Sequence, residues 1–303
     1  MEGMHLAMFY GDEQAYVDGI LSFAVPAVEA GEPVAVAVPG PKGPLLERRL
    51  RQIGAEPEIF DMVELGRNPA RIIPAVEAML ARQKGRRLHY IGEPIWAERM
   101  QEEIREATRH EALINLAWPG GKIRVLCPYD TTALDPAVIE DAHRTHPHLI
   151  LDGETTPSPI YDGPAVPPGS EKPLPDPPPT AGVLPFELAD LTSVRALVDS
   201  HASVAGMSRD GASDLVLAVN ELATNAIKHG GGRGLLRVWS TPTSTVCQVE
   251  DSGHIRDPLA GRRIPQPNAT GGRGLWTVNQ LCDLVEVRSN RTGTKVRVHS
   301  TLD

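Results

Sequence analysis

Three stretches near the C-terminus carry residue types that could handle a phosphate ester. The first is Glu221-Leu-Ala-Thr-Asn225-Ala-Ile-Lys228-His229-Gly230. Glu221 and Asn225 stand four residues apart, so a helix sets them on one face. Leu215, Val219, Leu222 and Ala226, with Val216, Ala223 and Ile227 one step round, form an apolar stripe on another face. An amide oxygen one turn from a carboxylate can ligate Mg²⁺, a hard cation that prefers oxygen. The carboxylate can take a proton from an attacking hydroxyl. Taken alone, the pair reads more simply as two solvated residues on a polar face. The second stretch is Val246-Cys-Gln-Val-Glu250-Asp251-Ser252-Gly253. It reads as a strand ending in a carboxylate that could accept from an exocyclic amine, or as a plain Asp-Ser-Gly turn. The third is Thr270-Gly271-Gly272-Arg273-Gly274-Leu275, glycines opening a helix. Backbone amides and the helix dipole at such a start favour phosphate, although a flexible loop has the same composition. Thr292-Gly293-Thr294, before the last strand, is by itself a turn.

The order and spacing of the set are more specific than any member. Together they resemble the GHKL ATPases, and among these the anti-sigma-factor serine kinases of the RsbW-like kind. Glu221 to Gly230 resembles the N box, and Glu250 to Gly253 the first glycine box. Gly271 to Leu275 resembles the second glycine box, and Gly293-Thr294 the third. The resemblance covers about residues 186 to 303. It implies a Bergerat-type α+β sandwich that binds ATP and Mg²⁺. Asn225 would hold the metal, Glu221 would be the general base and Asp251 would read adenine with Gly253. Gly272, Arg273, Gly274 and Leu275 would shape the phosphate lid, Lys228 and His229 would flank the nucleotide, and Thr294 would touch its adenine side. One position departs from the pattern. The first box carries a second glycine two places on, and here Ile255 stands there, which reshapes the adenine pocket.

The same resemblance implies a protein serine/threonine kinase whose partners are a sigma factor and an anti-sigma antagonist of the STAS type. Two alternatives remain open at this point: a non-catalytic, ATP-gated binding module, and a divergent sensor histidine kinase. The latter needs a phosphoacceptor histidine. His201, in Asp199-Ser-His-Ala-Ser203, has no acidic residue after it and no proline closing its turn, and reads as a surface histidine.

The elements that must position these residues follow a clear change of pattern. After about residue 183 the periodicity predicts helices over 192–205, 210–229 and 275–282. It predicts strands over 235–240, 245–250, 284–289 and 294–300, an α+β arrangement. Between Thr155 and Thr180 lie ten of the 28 prolines, which predicts an extended spacer over 155–182. Before it, over 1–154, apolar runs (6–10, 34–38, 59–63, 88–91, 122–127) alternate with helical patterns (13–30, 45–53, 69–84, 98–115, 136–143). That alternation predicts an α/β domain with a mainly parallel sheet. Pro39-Gly-Pro-Lys42-Gly43-Pro44 lacks the Ser or Thr a phosphate loop needs after its Gly-Lys pair, and reads as a turn.

His5-Leu-Ala-Met-Phe9-Tyr10, Gly31-Glu-Pro33, His89-Tyr-Ile-Gly-Glu93-Pro-Ile-Trp96, Glu111-Ala-Leu-Ile-Asn115 and Cys127-Pro-Tyr-Asp130 resemble the MEDS sensory domain. That likeness covers about residues 3 to 152. It implies a signal sensor on a RecA-like or flavodoxin-like scaffold, fused as in RsbA-like regulators. Ligands in such sheets sit beyond the strand C-termini, near Tyr10, Pro39 to Gly43, Glu93 and Trp96. Cys127, His143, His146 and His148 could be imagined around a metal, but read more simply as helix-end and loop histidines with a buried thiol.

Composition bounds the partners. The formal charge of −9 argues against nucleic acid as the main partner. No apolar run approaches the roughly 20 residues that span a bilayer. The first residues show no signal peptide, and the three scattered cysteines form no disulfide framework. These features predict a cytoplasmic protein, and the resemblance allows a homodimer.

Overall fold

The computed structural model describes residues 4–118, 121–151, 153–163, 173–266 and 272–302. The chain divides into two compact units, Met1–Ser170 and Glu171–Asp303.

The first unit is strand–helix alternation, as the apolar runs predict. Its elements are β1 (Met4–Tyr10), α1 (Glu13–Glu29), β2 (Val34–Val38), α2 (Lys42–Gln52), β3 (Glu58–Asp61) and α3 (Met62–Leu65). After a 3-10 turn at Pro69–Arg71 come α4 (Ile72–Arg82), β4 (Leu88–Gly92), α5 (Gln101–Ala117), β5 (Ile123–Asp130), α6 (Pro136–Thr145), β6 (His148–Leu151) and β7 (Glu154–Pro157). The strands lie in the order β3-β2-β4-β5-β1-β6-β7, all parallel except β7, which runs antiparallel to β6. β4 and β5 stand between β1 and β2, unlike the flavodoxin order 2-1-3-4-5. β2 and β4 are buried at every residue, because helices cover both faces of the sheet. Leu6, Ile20, Val36, Leu46 and Leu50 pack on one face, and Ile72, Val76, Leu88 and Ile114 on the other.

Local corrections have local causes. The strand expected over 59–63 ends at Asp61, whose carboxylate accepts from Val63 N at 2.9 Å and caps α3. The turn expected over 39–44 runs straight into α2, with Pro44 in the first helical turn, where its missing N–H has no partner to lose. β6 and β7 were not foreseen. The expected spacer opens with β7, and Ser158 Oγ then donates to His143 O at 2.6 Å while Arg144 pairs with Asp162 at 2.8 Å. The chain therefore leaves the first unit later than residue 155. Residues 164–172 of the expected spacer lie outside the described residues.

The second unit is an antiparallel sheet under helices. It comprises β8 (Gly182–Glu187), a 3-10 turn at Leu188–Asp190, α7 (Leu191–Val204), α8 (Arg209–His229), β9 (Arg233–Ser240), β10 (Ser244–Asp251), α9 (Arg273–Leu281), β11 (Leu284–Asn290) and β12 (Gly293–Thr301). The strand order is β11-β12-β10-β9-β8. Val194 and Val198 of α7, Leu215, Val219 and Leu222 of α8, and Val278 of α9 meet Leu236, Val238, Cys247, Val249, Val285 and Val298 of the sheet in one core. β8 was not foreseen either; it carries Pro185 but is an edge strand, where a missing N–H is tolerated.

Candidate functional site

α8 is the element that organises the C-terminal site. Ser208 caps its start by accepting from Gly211 N. Leu215, Ala218, Val219, Leu222, Ala223 and Ala226 bury one stripe of the helix. That burial leaves Glu221 and Asn225 half-buried on another face, with Lys228 and His229 exposed in the last turn. The helix closes at Gly230, whose N–H bonds Ala226 O at 2.8 Å.

The end of α8 is stitched to the end of β10. Ser252 donates to the Gly230 carbonyl from both its hydroxyl (2.8 Å) and its backbone N–H (3.2 Å). A Cβ on Gly230 would lie 2.5 Å from the Asp251 carboxyl carbon, so only glycine lets Asp251 sit there. The Asp251 carboxylate accepts from Gly253 N at 2.7 Å. Burial raises its pKa above the usual aspartate value, while the Gly253 N–H and nearby His229 pull the other way.

β12 completes this side. Thr294 pairs with Asp251 across the sheet and is buried. Its hydroxyl donates to Gly253 O at 2.9 Å and lies 2.7 Å from Ser289 Oγ. Since Thr294 spends its proton on Gly253, Ser289 must donate to Thr294 while accepting from Ile255 N at 2.8 Å. The relay fixes the loop after Asp251. Ile255, standing where the motif has glycine, packs against the core. The expectation that Thr294 would touch adenine is thus joined by a structural duty: its hydroxyl is already engaged. Ser289 and Ser252 were not singled out as site residues. Ser289 carries no motif, and only its cross-strand pairing with Thr294 reveals it.

α9 approaches the other end of the α8 face. A Cβ built on Gly274 would lie 3.0 Å from both Asn225 Nδ2 and Glu221 Oε2, and 3.3 Å from Asn225 Oδ1. The first turn of α9 therefore touches the expected metal ligand and the expected base together, and its dipole presents positive charge there. Gly272 caps α9 in the left-handed region at φ 85°, a conformation that favours glycine. Arg273 is exposed, and Leu275 is half-buried against the core. Gly271 lies outside the described residues. Asn225 and Glu221 thus meet Gly274, while Asp251, Gly253 and Thr294 meet the Gly230 end of the same helix. The donor set suits Mg-ATP: a hard amide oxygen, a carboxylate, and a helix start that brings a glycine, Gly274, beside them.

In the first unit, part of the expected ligand cluster assembles. Glu93, just beyond β4 and 1% exposed, accepts from Tyr10 and Tyr16 hydroxyls at 3.0 Å each and from Lys42 Nζ at 2.5 Å. Burial raises the Glu93 pKa, with Lys42 opposing. Gly40 N donates to Asp61. Trp96 goes elsewhere: its ring carries the Arg99 guanidinium at 4.4 Å, and Arg99 donates to the carbonyls of Pro94, Gly66 and Arg67. Of the imagined metal group, Cys127 and His146 come together, but His143 stacks on Phe9 at 4.5 Å. His201 is half-buried in α7 and its Nδ1 bonds Leu197 O at 3.0 Å.

Residues 4–147 match the family model described as MEDS, the methanogen/methylotroph DcmR sensory domain. Residues 184–299 match the model of the histidine kinase-like ATPase domain. No curated protein matches the chain. Among solved structures, the RsbU and RsbW domains of Rv1364c from Mycobacterium tuberculosis align at 17% identity and a TM-score of 0.30, covering 40% of this chain and 32% of that one. The histidine kinase AdeS of Acinetobacter baumannii aligns at 12% identity and a TM-score of 0.25, covering 40% of this chain and 68% of that one. Among the described residues, no helix is long and apolar enough to cross a membrane.

Proposed function

We propose that this chain, which joins a MEDS sensory domain to a histidine kinase-like ATPase domain, is a signal-responsive regulator of the anti-sigma class. In this reading the segment 183–303 binds Mg-ATP and phosphorylates a serine or threonine on a separate antagonist protein of the STAS type. The first unit senses a small molecule or a protein signal, the Pro-rich stretch after it joins the two, and the protein works in the cytoplasm.

The observation that carries the reading is the meeting of Glu221 and Asn225 with the start of α9 at Gly274. Bound Mg-ATP would supply the transferable phosphoryl group and neutralise part of its charge. Asn225 would hold the metal through its amide oxygen. Glu221, one turn away, would accept the proton of the partner's hydroxyl. Asp251, held by Gly253 N–H against Gly230, would accept from the adenine amine, and its register with Thr294 keeps it at the strand end. The α9 N-terminus would face the phosphates. His201 supports a separate acceptor protein over autophosphorylation, because its Nδ1 is tied to its own helix and its ring lies against Gly182.

The test is a pair of variants. Asn225→Ala should abolish Mg-ATP binding in a fluorescent-nucleotide titration, and unchanged affinity refutes the site. Glu221→Ala should keep nucleotide binding and lose transfer of labelled phosphate to candidate antagonists. Equal loss of both would remove the base role. Binding without any transfer by the native protein would favour a nucleotide-gated binding module, and acid-labile autophosphorylation a histidine kinase.

A further inference from the structure

One buried cluster in the first unit is untouched by the nucleotide reading. His5 on β1, Glu111 on α5, Cys127 on β5 and His146 at the end of α6 each place a donor atom within 4.8 Å of the other three, and all four are buried. The sequence suggested Cys127 and His146 with His143 and His148. The strand order instead sets β1 beside β5, which brings His5 to Cys127, and α5 supplies Glu111.

The spacing fits four-coordination. Glu111 Oε2 lies 2.9 Å from His5 Nε2, 3.3 Å from His146 Nε2 and 3.2 Å from Cys127 Sγ; Cys127 Sγ is 3.5 Å from His5 Nε2. Ordinary zinc bonds of about 2.0–2.1 Å to nitrogen or oxygen and about 2.3 Å to sulfur, at tetrahedral angles, give edges of about 3.4 and about 3.6 Å. These four of the six edges need to relax by only a few tenths of an ångström, and the two between His146 and the His5 and Cys127 donors lie within 4.8 Å.

The tautomers point the same way. His146 Nδ1 lies 2.8 Å from Ala142 O, which can only accept, so Nδ1 carries the proton. Asn115 Nδ2 donates to Thr145 O and Ala112 O, which fixes Asn115 Oδ1 as the acceptor from His5 Nδ1 at 3.1 Å. With both rings neutral, each turns an Nε2 lone pair toward one carboxylate oxygen. Lone pair against carboxylate repels, and the thiol proton can relieve only one such contact. Protonating both rings would bury two imidazolium ions with centroids 4.0 Å apart. Among the described residues, Glu111 Oε1 and His146 Nε2 also lack hydrogen-bond partners. A dication resolves all of this: one thiolate and one carboxylate neutralise it, and the Nδ1 bonds become the orienting outer contacts typical of metal-bound histidine. A thiolate with two imidazoles selects a transition ion over Mg²⁺ or Ca²⁺.

We propose that His5, Glu111, Cys127 and His146 form a closed, four-coordinate site for a divalent ion of the zinc class, pinning β1, β5, α5 and α6 to one another. Four protein ligands leave no open position, so the ion is structural. Burial means that it enters as the domain folds and leaves slowly.

The full chain can be unfolded with chelator and refolded in zinc, in cobalt(II) or in chelator. Refolding in zinc should yield one metal per chain by elemental mass spectrometry after exhaustive dialysis. The cobalt form should show a near-ultraviolet thiolate-to-cobalt band and the intense visible bands of a tetrahedral ion. The thiolate band cannot arise from the nucleotide site, where no sulfur is offered. Cys127→Ser should remove the thiolate band, Cys247→Ser should keep it, and Asn115→Ala should weaken metal affinity about 10- to 100-fold. Substoichiometric metal, with the same melting temperature after refolding in zinc or chelator, would overturn the site and leave a buried hydrogen-bonded network. Persistence of the band in Cys127→Ser would do the same. If the variants fail to fold, the stoichiometry and cobalt spectrum of the native chain decide alone.

Discussion

Gly274→Ala separates the nucleotide reading from mere helix packing. The residue lies in the first turn of α9 and its φ is not in the left-handed region, so alanine is conformationally acceptable there. Helix propensity even favours alanine by up to about 1 kcal/mol. The added methyl, however, falls 3.0 Å from Asn225 Nδ2 and Glu221 Oε2, against an ordinary contact of about 3.5–4.0 Å. Both tips are half-buried ends of flexible side chains and can retreat by the few tenths of an ångström required. The fold therefore survives, but Asn225 and Glu221 leave the positions in which they would serve Mg-ATP. Losing one charge-assisted interaction is worth about 1.5–3 kcal/mol, or about 10- to 150-fold in Kd. Titration with a fluorescent ATP analogue, paired with thermal denaturation, reads both quantities. The expected result is a melting temperature unchanged or raised and an affinity at least about tenfold weaker. Native affinity in a well-folded Gly274→Ala protein would show that α9 does not border the nucleotide, and the reasoning would fail.

Asp251→Asn should be neutral or slightly stabilising at pH 7. The raised pKa means that the folded carboxylate carries a burial cost above that pKa, relieved as pH falls through it. The same variant should weaken adenine-nucleotide binding about tenfold, because a neutral acceptor replaces a charged one, and in the native protein affinity should fall as pH is lowered from 7 toward the raised Asp251 pKa; a pH-independent Kd would contradict the role. Glu93→Ala strands two tyrosine hydroxyls and Lys42, and urea denaturation should register a loss of about 2–4 kcal/mol, below that of a fully buried pair because Lys42 is partly exposed. Gly293→Ala, at φ 147° with a Cβ that would sit 2.5 Å from Asp251 O, should destabilise the second unit by about 1–3 kcal/mol and weaken nucleotide binding with it; native stability would show that the turn tolerates a side chain.

Much of the proposed nucleotide site is legible from local spacing alone. Glu221 and Asn225 share a face because a helix repeats every 3.6 residues, and the apolar stripe of α8 says which face must be buried. The glycines at 230 and 253 stand where backbone passes too closely for a Cβ, which composition hints at and geometry explains. Pro157 and Pro185 hid two strands, β7 and β8, because proline speaks against a central strand but is tolerated at an edge, and each lies at the edge of its sheet.

What the chain alone could not disclose depends on partners distant in sequence. Ser289 enters the relay only through its register with Thr294. Lys42 finds Glu93, and Trp96 turns away from it, by virtue of where the loops beyond β2 and β4 lie. His5 and His146 stand at opposite ends of the first unit's sequence, yet their rings are 4.0 Å apart because β1 lies between β5 and β6. Periodicity specifies which side of an element is buried. Strand order, a property of the whole sheet, decides which buried side chains face each other.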